Sequence, residues 1–143
     1  MNTIKYGATL PYSAAQVFEL VCNIQQYPEF INWCTSTTVH NRTPYKITAT
    51  VYGHKLGVHF GVSIVYTLQV NRLIEIYLSP KPFRSIKGLW RFEAVSENST
   101  RLNFELEFEF INRLLGWTLT PIIRTEVKNL ITAFEERAKQ LYS

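Results

Sequence analysis

The sequence predicts an α+β fold in which a seven-stranded antiparallel sheet is covered by one long C-terminal helix. Two periodicities and one absence predict it. From Ser36 to Phe110 apolar residues recur at every second position, and from Leu114 to Leu141 they step by three and four. The turns between the apolar runs are too short to hold crossover helices, so consecutive strands must pair antiparallel.

The elements follow in order. TIKYGATL (residues 3–10) reads as a first strand, weakened at Gly7. Ser13 and Gln16 have the spacing of a capping box, and Tyr12 is placed to pack on Val17 as a hydrophobic staple. Val17, Phe18 and Val21 then share one face of a helix of about three turns. Next comes YPEFINWC (residues 27–34). Pro28 disfavours helix at Tyr27 and no alternation follows, so an aromatic connector is expected, neither helix nor strand. It needs the core, or a ligand beside the core, to bury its rings.

STTVHNR and YKITATVYG read as strands around a Thr43-Pro44 turn. VHFGVSIVYTLQV puts Val58, Phe60, Val62, Ile64, Tyr66, Leu68 and Val70 on one face. LIEIYLS follows an Asn71-Arg72 turn, and SIKGLWRFEAV and RLNFELEFEF flank a polar turn at residues 96–100. In the last strand Leu102, Phe104, Leu106, Phe108 and Phe110 alternate with charged or polar residues, which marks one buried face and one wet face. The final helix carries Leu119, Ile123, Val127, Leu130, Ile131, Phe134, Ala138 and Leu141 as one stripe. It would be about 40 Å long, with Pro121 either kinking it or starting its regular part. A strongly twisted sheet curls, and a straight helix cannot fill its concave side everywhere. A cavity between them is expected, with the connector at one end.

The bulk numbers fit one domain with one core: 143 residues, 46% hydrophobic and 14% aromatic. Cys22 and Cys34 make neither a disulfide framework nor a metal site by spacing. The start MNTIKYGATLPYS carries no apolar secretory region and no Arg-rich presequence, so a reducing bacterial cytoplasm is the expected setting. The net charge of +4 is unevenly spread. Residues 1–91 hold nine Lys/Arg against three Glu, and residues 92–143 hold six against eight. The basic half suits phosphate, in lipid headgroups or in RNA, although a solvated surface has the same composition.

Three stretches in order resemble one family: YPEFINWC after a short helix; Pro82-Phe83 followed by Gly88, Trp90 and Phe92; and FEFINRLL at residues 108–115. It is the coenzyme Q-binding, START-like family of the polyketide cyclase and lipid-transport superfamily, which includes mitochondrial coenzyme Q chaperones and bacterial ribosome-association toxin A proteins. The resemblance runs from Tyr12 to Tyr142. It implies a helix-grip fold: a curved sheet wrapped around the C-terminal helix, an apolar tunnel between them, and YPEFINWC closing one end. It also implies two roles. Mitochondrial members bind coenzyme Q and support respiration, while some bacterial members inhibit the joining of ribosomal subunits.

Catalytic chemistry is poorly provided for. The chain has no Asp, which excludes a Ser-His-Asp triad and an aspartate dyad. His40, His54 and His59 read as surface strand residues, and the last two lack a usual zinc-ligand spacing. Glu105, Glu107 and Glu109 share the wet strand face, and Cys34 reads as a buried inert thiol. No enzyme activity, metal or cofactor is expected.

What remains is a container for a hydrophobic small molecule, with ubiquinone or a similar polyprenyl lipid as ligand. The sheet would contribute Val62, Ile64, Trp90, Phe104 and Phe108 to its wall. The connector would contribute Phe30 and Trp33, and the helix Ile123 and Val127. Phe83 lies among Lys81, Arg84 and Lys87, and Trp117 lies with Leu114 and Leu115 near Arg113 and Arg124. An aromatic tip ringed by cations suits contact with the inner membrane, while Phe83 folded into the tunnel mouth is the competing placement. The leading reading is a non-catalytic coenzyme Q chaperone. The alternative is a regulator that binds the large ribosomal subunit through the basic half and blocks subunit joining. A cyclase or hydratase comes third.

Overall fold

The computed structural model describes residues 2–79 and 82–143. β1 (Asn2–Leu10) leads into α1 (Ala14–Cys22) and a 3-10 helix (Ile24–Glu29). Six strands follow: β2 (Cys34–Arg42), β3 (Lys46–Lys55), β4 (Val58–Gln69), β5 (Leu73–Leu78), β6 (Phe83–Ser96) and β7 (Ser99–Phe110). α2 (Arg113–Tyr142) ends the chain. The sheet order is β1-β7-β6-β5-β4-β3-β2, antiparallel at every pairing. The expected seven strands and covering helix are all present.

Local chemistry accounts for the boundaries. The Ser13 hydroxyl accepts from the Gln16 amide at 3.2 Å, and the Gln16 side chain accepts from the Ser13 amide at 3.1 Å, closing the capping box. Tyr12 packs on Tyr142, with ring centroids 5.6 Å apart, so the last turn of α2 is tied to the start of α1. Leu56 and Gly57 both adopt positive φ, 53° and 78°, giving the β3–β4 hairpin the two-residue turn whose twist matches its strands. Register shifts within the β2–β3 and β6–β7 pairings add curvature to a sheet with long strands.

Some expectations are corrected. Residues 24–29 form a 3-10 helix with Pro28 inside it, where a non-helical connector was predicted. Its bonds are local, so one missing donor is tolerated, and the turn buries Ile24 and Tyr27. Val58 and Val70 lie at strand ends and are exposed, so the β4 stripe is shorter than its sequence pattern. The 96–100 turn is tighter than predicted: Thr100 belongs to β7, is fully buried, and donates its hydroxyl to the Tyr12 carbonyl at 2.8 Å. On α2, Leu141 is exposed, and Tyr142 turns inward with its hydroxyl donating to the Gln16 carbonyl at 3.1 Å. Pro121 lies within α2, which continues through it for about 45 Å in all.

The core places the cavity. Only the second half of α2 is gripped: Val127, Ile131, Phe134 and Ala138 are buried, whereas Leu115, Leu119 and Ile123 are half-buried. The connector is held against β3 by the His54 amide, which donates to the Trp33 carbonyl at 2.9 Å. Gly53 permits this approach. A Cβ there would lie 2.5 Å from the Phe60 ring and 2.8 Å from the Trp33 carbonyl oxygen. Gly53→Ala is therefore expected to destabilise by about 1–3 kcal/mol in urea unfolding. An unchanged midpoint would show that the connector is not pinned there.

Candidate functional site: an apolar cavity between sheet and helix

Between the concave sheet face and α2 lies a cavity of about 430 Å³. That falls within the usual range of small-molecule sites. β4 supplies Phe60, Val62, Ile64 and Tyr66 to its wall; β5 supplies Ile76 and Leu78. β6 and β7 add Phe83, Ile86, Trp90, Phe104 and Leu106. Ile123, Val127, Leu130 and Phe134 come from α2, and Tyr27, Ile31 and Trp33 from the connector. These positions converge because strand alternation sends every second side chain of neighbouring strands to the concave face, and the register shift between Phe83 and Ser85 brings Phe83 to the same side as Ile86.

Phe134 closes the inner end. Its ring lies 5.7 Å from Tyr27, 5.3 Å from Phe30 and 5.3 Å from Trp90, each nearly edge-to-face. Among the described residues the wall holds one ion pair, at the other end: Lys55 Nζ to Glu126 Oε1 at 3.0 Å, both side chains partly exposed. It joins the β3–β4 hairpin to α2. Exposure to water keeps such a pair weak, so it is a latch rather than a lock.

Two tyrosine hydroxyls stand at the inner end. Tyr27 and Tyr66 are 2.8 Å apart through their oxygens, and Tyr27 also bonds the Val21 carbonyl. A carbonyl only accepts, so Tyr27 donates to Val21 and must accept from Tyr66. Burial pushes both phenols above the ordinary value of 10.0, well above it for Tyr27. Trp90 is 1% exposed, and among the described residues its indole Nε1 has no hydrogen-bond partner.

Eight of the eleven predicted site positions line the cavity: Trp33, Val62, Ile64, Phe83, Trp90, Phe104, Ile123 and Val127. Three lie elsewhere. Phe30 is outside the wall, packed on Tyr27 and Phe134 under the Arg137 guanidinium at 5.3 Å, where it clamps the connector to α2. Phe108 is fully buried behind Phe83, whose ring lies 5.9 Å away and takes the wall position. Trp117 is 79% exposed on the outer face of α2. Phe83 thus takes the folded-back placement, also stacked on Phe110 at 4.6 Å. Lys81, grouped with it in the sequence, lies outside the described residues.

Sequence reasoning passed over Tyr27, Tyr66 and the Lys55–Glu126 pair. A lone hydroxyl on the apolar β4 stripe was the available signal for Tyr66. The ion pair joins distant segments and left none.

The remaining reactive groups are placed away from the cavity. His54 and His59 stack at 4.2 Å across the β3–β4 hairpin, and His40 bonds the Thr50 hydroxyl at 2.7 Å. Glu107 and Glu109 pair with Lys87 and Arg84 at 3.4 and 3.9 Å. Burial raises the Cys34 thiol and pushes Cys22 up to about 12, so neither is an activated nucleophile.

A curved antiparallel sheet gripping a C-terminal helix over an apolar cavity defines a helix-grip, START-like domain. Comparison with known proteins narrows this. The chain belongs to the polyketide cyclase / dehydrase and lipid transport family, whose model matches residues 10–135. It is 34% identical to the ribosome association toxin RatA of Escherichia coli (strain K12), over 100% of this chain and 90% of that one. It is 24% identical to the mitochondrial coenzyme Q-binding protein coq10 of Schizosaccharomyces pombe, over 91% and 82% of the two chains. Among solved structures it resembles the Zhui aromatase/cyclase from Streptomyces sp. R1128, with a TM-score of 0.88 at 12% identity, covering 97% and 94%. That last likeness is one of fold.

Two outcomes test this geometry. Phe83→Ser should lower stability by about 1–3 kcal/mol, because the ring is packed. Trp117→Ser should stay within about 0.5 kcal/mol. Equal effects in thermal unfolding would contradict the placement of Phe83. Separately, Tyr27 and Tyr66 have raised folded-state values, so their contribution is complete below the ordinary value of 10.0 and is lost as pH rises through the folded values. Alkaline titration followed by phenolate absorbance should leave these two tyrosines un-ionised until the protein unfolds.

Proposed function

We propose that this protein is a non-catalytic carrier of a long-chain hydrophobic molecule with a flat ring, most simply a polyprenyl quinone. The observation that carries the reading is the cavity, walled by aliphatic and aromatic side chains and open beside Lys55 and Glu126. An aliphatic tail suits its branched residues, and a ring suits Trp90, Phe104 and Phe134. The name of the coq10 relative agrees with it. Among the described residues the wall's polar groups are the tyrosine hydroxyls and one partly exposed ion pair, which supports carriage over the cyclase reading.

Delivery is read from α2. Leu114 and Trp117 are 72% and 79% exposed, Ile111 is exposed just before them, and Arg84, Arg113 and Arg124 border the same surface. Apolar side chains amid cations suit an anionic lipid surface, close to where Ile123 and Phe83 edge the cavity. Among the described residues, no helix is long and apolar enough to cross a membrane.

A second reading, association with the large ribosomal subunit, is favoured by the RatA relative, which aligns over the whole chain. Arg84 and Lys87 face Glu109 and Glu107, so the cations of β6 are partly neutralised for such a role. Ribosome binding should weaken steeply with salt, since phosphate contacts release counterions, and should fall on charge reversal at Arg84 and Lys87. Co-sedimentation indifferent to both would count against a basic contact surface.

The first reading is tested by solvent extraction of the purified protein and mass spectrometry. A polyprenyl quinone or other long-chain lipid is expected at a substantial fraction of one per chain. Ile64→Arg or Val62→Arg should abolish it while circular dichroism stays native, because an unpaired guanidinium is costly to bury in an apolar wall. An empty wild-type extract, together with no uptake of added quinone, would reject the carrier reading.

A further inference from the structure

The tip of the β3–β4 hairpin is built against local preference. Leu56 holds φ at 53°, a left-handed conformation that glycine or asparagine adopts at lower cost. Its side chain is 77% exposed, so packing within the fold does not compensate. Val58, the next residue but one, is 60% exposed. Large apolar side chains held in water, one of them on a strained backbone, point to a surface outside the chain.

The tip is continuous with the cavity. Every second residue of β4 shares a face, so Val58 stands in line with Phe60, Val62 and Ile64. The last three line the cavity wall, and Val58 carries the same apolar stripe out into water. Lys55 lies opposite Val58 across the hairpin and belongs to the wall, where it pairs with Glu126 of α2.

The tip also shares one end of the sheet with the start of α2. Both β4 and β6 pair antiparallel with β5, so they run the same way and begin at this end. Phe83 at the start of β6 pairs with Phe110 at the end of β7, and α2 begins at Arg113. Exposed Ile111, Leu114 and Trp117 therefore stand at the same end as Leu56 and Val58. Lys55, Arg84, Arg113 and Arg124 outnumber Glu109 and Glu126 around these side chains.

We propose that the β3–β4 hairpin tip is a second lipid-docking element, which enters an anionic bilayer beside the start of α2 and makes the β4 stripe a continuous apolar path from the bilayer interior to the cavity. This rests on the carrier reading above. Leu56 and Val58 leave water for acyl chains, while Lys55 and the arginines stay with the headgroup phosphates. A bilayer fits better than a folded protein partner, because the apolar side chains sit on two separate elements and a fluid phase needs no matching contour.

The test is co-sedimentation of the full chain with vesicles of equal parts phosphatidylcholine and phosphatidylglycerol. Asparagine suits the turn better than leucine, so Leu56→Asn should melt no lower than the wild type. Its vesicle binding should nevertheless weaken about tenfold, the order expected when one aliphatic side chain no longer leaves water. Leu56→Cys gives a second readout: Cys22 and Cys34 are buried, so a polarity-sensitive thiol probe goes to the tip. Its emission should shift to shorter wavelength on these vesicles, and less on phosphatidylcholine alone. Equal vesicle binding by wild type and Leu56→Asn, or an unshifted probe, would overturn the docking element, and a loaded lipid extract would then keep the carrier reading. Concentration-dependent dimers lost in Leu56→Asn would also overturn it, by assigning the tip to a second copy of this chain. An empty extract with no quinone uptake would remove the carrier reading and the path with it.

Discussion

The rest of the structure depends on the mismatch between α2 and the sheet it lies across. A helix is a nearly straight rod, and a twisted sheet of long strands is a trough, so close contact is possible over part of the length only. Contact is made at the C-terminal half, where Val127, Ile131, Phe134 and Ala138 are buried. Its end is anchored by Tyr142 on Gln16 and by Tyr12 on Tyr142. Toward its N-terminus the helix lies farther from the trough, and the 430 Å³ space results. Phe134 is the hinge of this arrangement, because the rings of Tyr27, Phe30 and Trp90 surround it and seal the floor.

Sealing the floor with rings has a chemical consequence. Polar groups near that end must bond one another or go unpaired, since water has little access. Tyr27, Tyr66 and the Val21 carbonyl form a chain with a defined donor order, while the Trp90 N–H stands outside it. The Zhui aromatase/cyclase shares the trough and the helix at 12% identity, too little to carry its chemistry over. What this chain does with the space is set by its own wall: apolar along its length, a relay at the floor and an ion pair at the mouth.

Sequence patterns revealed faces more reliably than depths. β7 alternates cleanly, and all six of its inward residues, Thr100 included, are buried. Alternation could not say that Phe104 reaches the cavity and Phe108 does not, because that depends on Phe83 crossing over from the neighbouring strand. The same limit explains Phe30, an aromatic residue in the predicted connector that packs on the outer side of Phe134. The Lys55–Glu126 pair was invisible for another reason: its partners meet only once the β3–β4 hairpin and α2 are both placed. Capping at Ser13 was legible because its cause is local.

The measurement that bears most directly on the cavity as a ligand space is a crystal structure of the protein grown with saturating long-chain quinone. Continuous density is predicted along Ile64 and Val127, between the sheet and α2, to the partly exposed Lys55 and Glu126. Phe134 should still seal the floor beneath it. Side chains of β4 and α2 collapsed together across that path, with the quinone absent, would contradict it.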